Sequence, residues 1–171
     1  MIIDELPDLR LASLRLDNCT LSGAAYRQIG TMDLAHLQLS NCNVTDKELI
    51  ILNQLKNLRM LDVSNTKVTD DGFARMRVMS HVASVNIANT AIGDDTVARI
   101  SSWPNVNTLI LDGTLVTDAG IAELRSWRER SGPSRSLLVS VSGCNVTSLM
   151  VHQLSSIMRV NVREDGARPS P

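Results

Sequence analysis

The chain repeats itself every 24 residues, and no other feature narrows its possible folds as much. Take Leu58 as the start of one unit: apolar or small residues follow at Leu61, Val63, Thr66, Val68, Phe73, Met76 and Met79. The same eight positions one period later hold Val82, Val85, Ile87, Thr90, Ile92, Val97, Ile100 and Trp103. A further period gives Val106, Leu109, Leu111, Thr114, Val116, Ile121, Leu124 and Trp127. One period back stand Leu34, Leu37, Leu39, Cys42, Val44, Leu49, Leu52 and Leu55. A further unit precedes these, from Leu11 through Leu14, Leu16, Cys19 and Leu21 to Tyr26, Ile29 and Met32, one residue short at its end. A last one follows with Ser136, Val139, Val141, Cys144, Val146, Val151, Leu154 and Ile157, displaced because "RERSGP" intervenes after Trp127.

Two periods alternate within a unit. "LRMLDV" alternates as a short strand with one buried face does. Phe73, Met76 and Met79 are spaced by three, as on one stripe of a short helix. Each unit is therefore a strand, a turn and a helix, and it cannot bury its apolar edge alone. Stacking the units aligns the strands as a parallel sheet and buries a continuous ladder of side chains. The expected organisation is an N-terminal flank over residues 1–10, a repeat domain over 11–162 with an insertion near 128–135, and a polar, disordered tail over 163–171. Ile2, Ile3 and Leu6 are expected to shield the first core layer, and Val160 and Val162 to form a terminal strand.

The pattern L-x-x-L-x-L-x-x-[C/T]-x-V resembles the leucine-rich repeat family, from Leu11 to about Ile157. "VTDKEL", "VTDDGF" and "VTDAGI" are similar to the subtype that places Cys or Thr where commoner repeats place Asn, followed by a T-D-x-G-L start to the convex helix. The resemblance implies an α/β solenoid: a curved right-handed stack with a parallel sheet on its concave face and short helices on its convex face. It also implies a protein-binding scaffold, although members of such families recognise unrelated partners.

The turn of each unit invites a catalytic or metal reading, which its spacing rejects. Ser22, Thr45, Thr69, Gly93, Thr117 and Thr147 recur where a helix begins, and such residues meet unpaired amides. Asp46, Asp70, Asp94 and Asp118 follow directly, in the first turn, where the helix dipole favours negative charge. Stacking sets these acids in a row along one edge instead of converging them on an ion. Cys19, Cys42 and Cys144 occupy the position that Thr66, Thr90 and Thr114 hold elsewhere, a small interior site sharing a hydrogen bond with the turn. Neither zinc spacing nor a Cys–His nucleophile pattern exists. Trp103 and Trp127 read as packing residues, His81 and His152 as solvated. The glycosylation-like triplets at Asn18, Asn43 and Asn145 read as by-products of the repeat. No enzyme activity, cofactor or metal is expected.

Composition bounds the partner. Net charge is -1 and aromatic content 2%, so neither a basic field nor a base-stacking surface favours nucleic acid. The opening "MIIDELPDLR" has no basic region of a secretory signal, and no apolar run approaches a membrane span, so an intracellular, cytoplasmic setting is expected.

Two surfaces remain. By alternation the concave face is built from Ser13, Arg15 and Asp17; His36, Gln38 and Ser40; Met60, Asp62 and Ser64; Ser84, Asn86 and Ala88; Thr108, Ile110 and Asp112; Leu138, Ser140 and Ser142. It is polar and small, with Met60, Ile110 and Leu138 as apolar exceptions able to anchor another protein. The second surface is the insertion, a loop gathering Arg125, Arg128, Arg130 and Arg135, suited to an acidic or phosphate-bearing partner. The preferred reading is a non-enzymatic interaction scaffold, adaptor or subunit of a larger assembly. The alternative is a nucleic-acid or ribonucleoprotein-associated factor acting through Arg125–Arg135.

Overall fold

The alternation of each "LxLxx" segment becomes a three-residue strand whose central side chain is buried. These strands are β2 (Ser13–Arg15), β4 (His36–Gln38), β5 (Met60–Asp62), β6 (Ser84–Asn86), β7 (Thr108–Ile110) and β8 (Leu138–Ser140). Their centres are Leu14, Leu37, Leu61, Val85, Leu109 and Val139. The computed structural model describes residues 2–6, 11–131, 136–155 and 159–161, with the backbone alone at 128–131, 154 and 159–161. A further strand, β9 (Arg159–Asn161), continues the sheet at the expected terminal position of Val160, while Val162 and the tail lie outside the described residues.

The sheet order is β2-β4-β5-β6-β7-β8-β9, every pair parallel. Its register runs Ser13, His36, Met60, Ser84, Thr108, Leu138 and Arg159 side by side. Equivalent residues of successive units therefore stand in columns across the face, as a fixed period requires. The chain is an α/β leucine-rich repeat solenoid, with helices on the opposite side of the core from the open sheet face.

Between the strands lie α1 (Gly23–Thr31), α2 (Asp46–Ile51), α3 (Asp70–Ala74), α4 (Asp94–Ser101), α5 (Asp118–Ser131) and α6 (Ser148–Ser155). Ile29, Leu52, Phe73, Met76, Val97, Ile100, Ile121 and Trp127 fill the space beneath the sheet. Trp103 is fully buried, its ring centroid 6.4 Å from that of Phe73. Arginines tie consecutive windings on this side. Arg77 donates to the carbonyls of Asn53 (2.7 Å) and Leu55 (3.0 Å), and Arg99 to that of Met76, each one repeat earlier. Such bonds satisfy carbonyls that a short helix leaves open at its end.

Three details depart from the simple periodic picture. Ser136, the first position of the last unit by register, is exposed, and Leu137 beside it is buried instead. The insertion begins as helix, because α5 continues to Ser131, while 132–135 lie outside the described residues. At the other end β1 (Ile2–Ile3) pairs with β3 (Thr20–Leu21), and Ser22 N donates to Ile3 O at 2.9 Å. The flank thus adds to the turn edge of the first unit. Ile3 and Leu6 pack against the core, Ile2 is exposed, and residues 7–10 lie outside the description.

Candidate functional site

Each turn acid is committed to the next repeat. Asp46 accepts from the Thr69 amide and from Thr69 Oγ1, both at 2.8 Å. Asp94 holds Thr117 in the same way at 2.8 and 2.6 Å, and Asp118 holds Thr147 at 2.8 and 2.8 Å. Asp70 faces Gly93, which has no hydroxyl, so it accepts from the amides of Gly93 and Thr96 (3.1 Å each) and from Thr96 Oγ1. Thr69, Thr117 and Thr147 in turn accept from the amides of Asp71, Ala119 and Met150, capping their own helices. The acids do stand in first turns, but their bonds run to the following N-cap, a role that helix-dipole reasoning does not supply. In the second unit Glu48 also reaches back to the Thr45 amide at 3.1 Å.

The glycine of T-D-x-G follows from this clasp. A Cβ on Gly72 or Gly120 would fall inside contact distance of the Asp46 or Asp94 carboxylate. Among the described residues no three His, Cys, Asp or Glu side chains gather where they could hold a metal ion.

The Cys/Thr column bonds strand-end carbonyls, the threonines within their own unit and Cys42 and Cys144 in the unit before. Thr66, Thr90 and Thr114 donate to the carbonyls of Val63 (2.6 Å), Ile87 (2.5 Å) and Leu111 (2.6 Å). Cys42 donates to Leu16 O at 2.7 Å and Cys144 to Leu111 O at 2.9 Å. Burial pushes the Cys42 thiol up, away from the reactive thiolate. The column beside it was missed by pattern reading. Asn18, Asn41, Asn65 and Asn89 all have φ between 54 and 58°, and Gly113 and Gly143 complete the series at 65 and 69°. Only Gly, Asn and Asp enter that region readily. The signal was present in the sequence, since Asn or Gly precedes every Cys or Thr of the column. Of the glycosylation-like triplets, Asn43 is bonded through both amide atoms to the Leu21 backbone, at 2.8 and 3.0 Å.

The concave face places its candidate residues in three columns. The first holds Ser13, His36, Met60, Ser84, Thr108 and Leu138; the second Arg15, Gln38, Asp62, Asn86, Ile110 and Ser140. The third, Asp17, Ser40, Ser64, Ala88, Asp112 and Ser142, lies at the turn end. Much of its polarity is internally paired. Asp62 Oδ1 accepts from the Ser64 amide (2.9 Å) and hydroxyl (2.7 Å), Ser64 Oγ meets Ser40 Oγ at 3.0 Å, and Asn86 donates to Asp62 Oδ2 at 2.9 Å. Asp112 Oδ1 accepts from Ser140 Oγ (2.7 Å) and the Ser142 amide (2.8 Å). Arg15 is ion-paired with Asp17. Met60 and Ile110 are half-buried, and Leu138 is 42% exposed.

The arginines of the insertion are not on one loop. Arg125 is an exposed residue of α5, the α5 backbone carries positions 128 and 130, and Arg135 lies outside the described residues, as do the side chains of Arg128 and Arg130. No described helix is long and apolar enough to cross a membrane.

No known family's sequence profile matches the chain, and no curated protein matches it. Solved structures do. An internalin C2 from Listeria monocytogenes superposes with a TM-score of 0.59 at 16% identity, over 90% of this chain and 71% of that one. An internalin, inlF, from the same organism gives 0.57 at 13% identity, over 92% of this chain, which spans 48% of inlF. Both are internalins, at identities where only fold is shared, and with the columns described above they establish the leucine-rich repeat fold for this chain.

Proposed function

We propose that the chain is a non-enzymatic protein-interaction scaffold, an adaptor or subunit of a larger assembly, binding another protein through the concave face. We also read it as the repeat subtype with Cys or Thr in the turn, because either residue at that position donates to a backbone carbonyl at the end of a strand, Thr in its own unit and Cys42 and Cys144 in the unit before. One observation carries the functional reading. The buried strand centres stay apolar in every unit, four of the six units carry the turn Asp, and the turn column is Asn or Gly throughout, whereas the first concave column changes residue at every step: Ser13, His36, Met60, Ser84, Thr108, Leu138. Regularity serves the stack; variation is where recognition can be encoded. Met60, Ile110 and Leu138 supply apolar anchors, and Gln38, Ser84, Asn86 and Thr108 surround them with polar groups, while Ser140 is buried and donates to Asp112.

The test is crosslinking from native extract with Ile110→Arg plus Leu138→Arg as the comparison. An apolar hot spot lost from a modest interface costs about 2 kcal/mol or more, roughly thirtyfold in affinity. Loss of the partner with the circular dichroism spectrum unchanged supports the reading, and crosslinks confined to the convex helices refute it.

A second reading rests on α5, which at 14 residues is the longest of the described helices and carries Arg125, position 128 and position 130. It makes the chain a nucleic-acid or ribonucleoprotein-associated factor. Phosphate binding would weaken steeply with salt and disappear in Arg128→Glu plus Arg130→Glu, whereas an apolar concave contact would respond to neither.

A further inference from the structure

We infer that the concave face takes a cationic, partly apolar segment of its partner, in extended conformation; this rests on the concave-face reading above. Its described side chains carry one cation, Arg15, against three carboxylates, Asp17, Asp62 and Asp112. Arg15 is neutralised by Asp17, with which it forms an ion pair. Asp62 and Asp112 therefore leave the face with two negative charges that no described cation balances.

Neither charge is required by the turn it helps to hold. Asp62 fixes the Ser64 amide with one oxygen at 2.9 Å, and Asn86, at the same position one repeat later, fixes the Ala88 amide at 3.2 Å with a neutral group. Asp112 makes both of its bonds through Oδ1, and no described residue bonds Oδ2. Hydrogen bonding locks both carboxylates in place while no described cation compensates their charge.

Each acid also sits two residues after an apolar side chain on the same face, Met60 before Asp62 and Ile110 before Asp112. Two strand spacings and two residue rises put the acids about 12 Å apart. Only small or neutral groups, Asn86 and Ala88 among them, lie between. The complementary surface is an extended stretch with two Lys or Arg side chains roughly four residues apart, at ~3.3 Å per residue, and apolar residues beside them.

The probe is a random-peptide display library selected on the full chain, followed by titration of the enriched peptides as synthetic molecules. The expected sequences carry two basic residues at that spacing with apolar neighbours. Their affinity falls roughly tenfold in Asp112→Asn and declines with salt. Asp112→Asn keeps the Oδ1 acceptor, so its folding is expected to match the parent. Acidic or neutral peptides that lose binding in Ile110→Ser would overturn the charge inference and leave the concave reading standing. Selected peptides indifferent to both substitutions would overturn both, and a selection that enriches nothing overturns the inference.

Discussion

Removing one turn carboxylate separates two explanations for the acid row. Asp94 and Asp95 are adjacent in the first turn of α4, so both interact with the helix dipole. Only Asp94 bonds the next repeat, accepting from Thr117 N at 2.8 Å and Thr117 Oγ1 at 2.6 Å. Hydrogen bonds to a charged group contribute about 1.5–3 kcal/mol each, and partial exposure of Asp94 argues for the low end. Asp94→Ala should therefore cost about 3 kcal/mol, because the Thr117 amide also loses its acceptor. Asp95→Ala, an exposed position, should cost only the dipole interaction, about 0.5 kcal/mol. Asp94→Asn keeps one acceptor for the amide and can donate to Thr117 Oγ1, so its cost should fall near 1 kcal/mol. Urea unfolding followed by circular dichroism reads the three variants, and an unchanged slope confirms that they compare the same transition. A double-mutant cycle with Thr117→Val should return a coupling of about 1–2 kcal/mol. Equal losses in Asp94→Ala and Asp95→Ala would refute the clasp and restore simple dipole capping.

Gly120→Ala should destabilise by about 1–3 kcal/mol, since its Cβ would meet the Asp94 carboxylate, and Asp94→Ala should relieve part of that cost; calorimetric midpoints of the single and double variants check this. Burial raises the Cys42 thiol, and likewise the Tyr26 phenol, so the folded chain holds these protons more tightly than the unfolded one. That contribution is complete below the ordinary thiol range and is lost as pH rises through and above it. Denaturation midpoints should decline with alkaline pH in the parent and decline less in Cys42→Thr, a residue that Thr66, Thr90 and Thr114 show to be accommodated in this column.

Fold was legible because burial is the strongest constraint on a stacked unit. Leu61, Val85 and Leu109 recur at one period and can serve no purpose other than the core, and all three are fully buried. What pattern reading could not supply was the direction of polar bonds. Asp46 and Thr69 are 23 residues apart, and nothing local indicates that the acid ends one winding by holding the cap of the next. Asn65 and Gly113 carried a visible signal, a column confined to residues tolerating positive φ, which apolar periodicity passes over. The interrupted unit was hardest to place. With Ser136 at the apolar position, only neighbouring backbone geometry reveals that Leu137 takes the buried place.

The same division bears on where recognition can reside. Asp46, Asp70, Asp94 and Asp118 have regular spacing and are half-buried, and their oxygens are occupied by the repeats they join. A ligand binding there would first have to replace about two charge-assisted bonds per acid, a cost similar to that expected for Asp94→Ala. On the concave face the balance is reversed. Ser64, Asn86 and the Ser142 amide immobilise Asp62 and Asp112, and these neutral groups do not cancel their charge. An incoming cation would meet carboxylates already fixed in orientation, so it gains attraction with little further ordering of this chain. In this solenoid the regular polar residues hold the stack together, and we propose that the irregular ones beside Met60 and Ile110 select the partner.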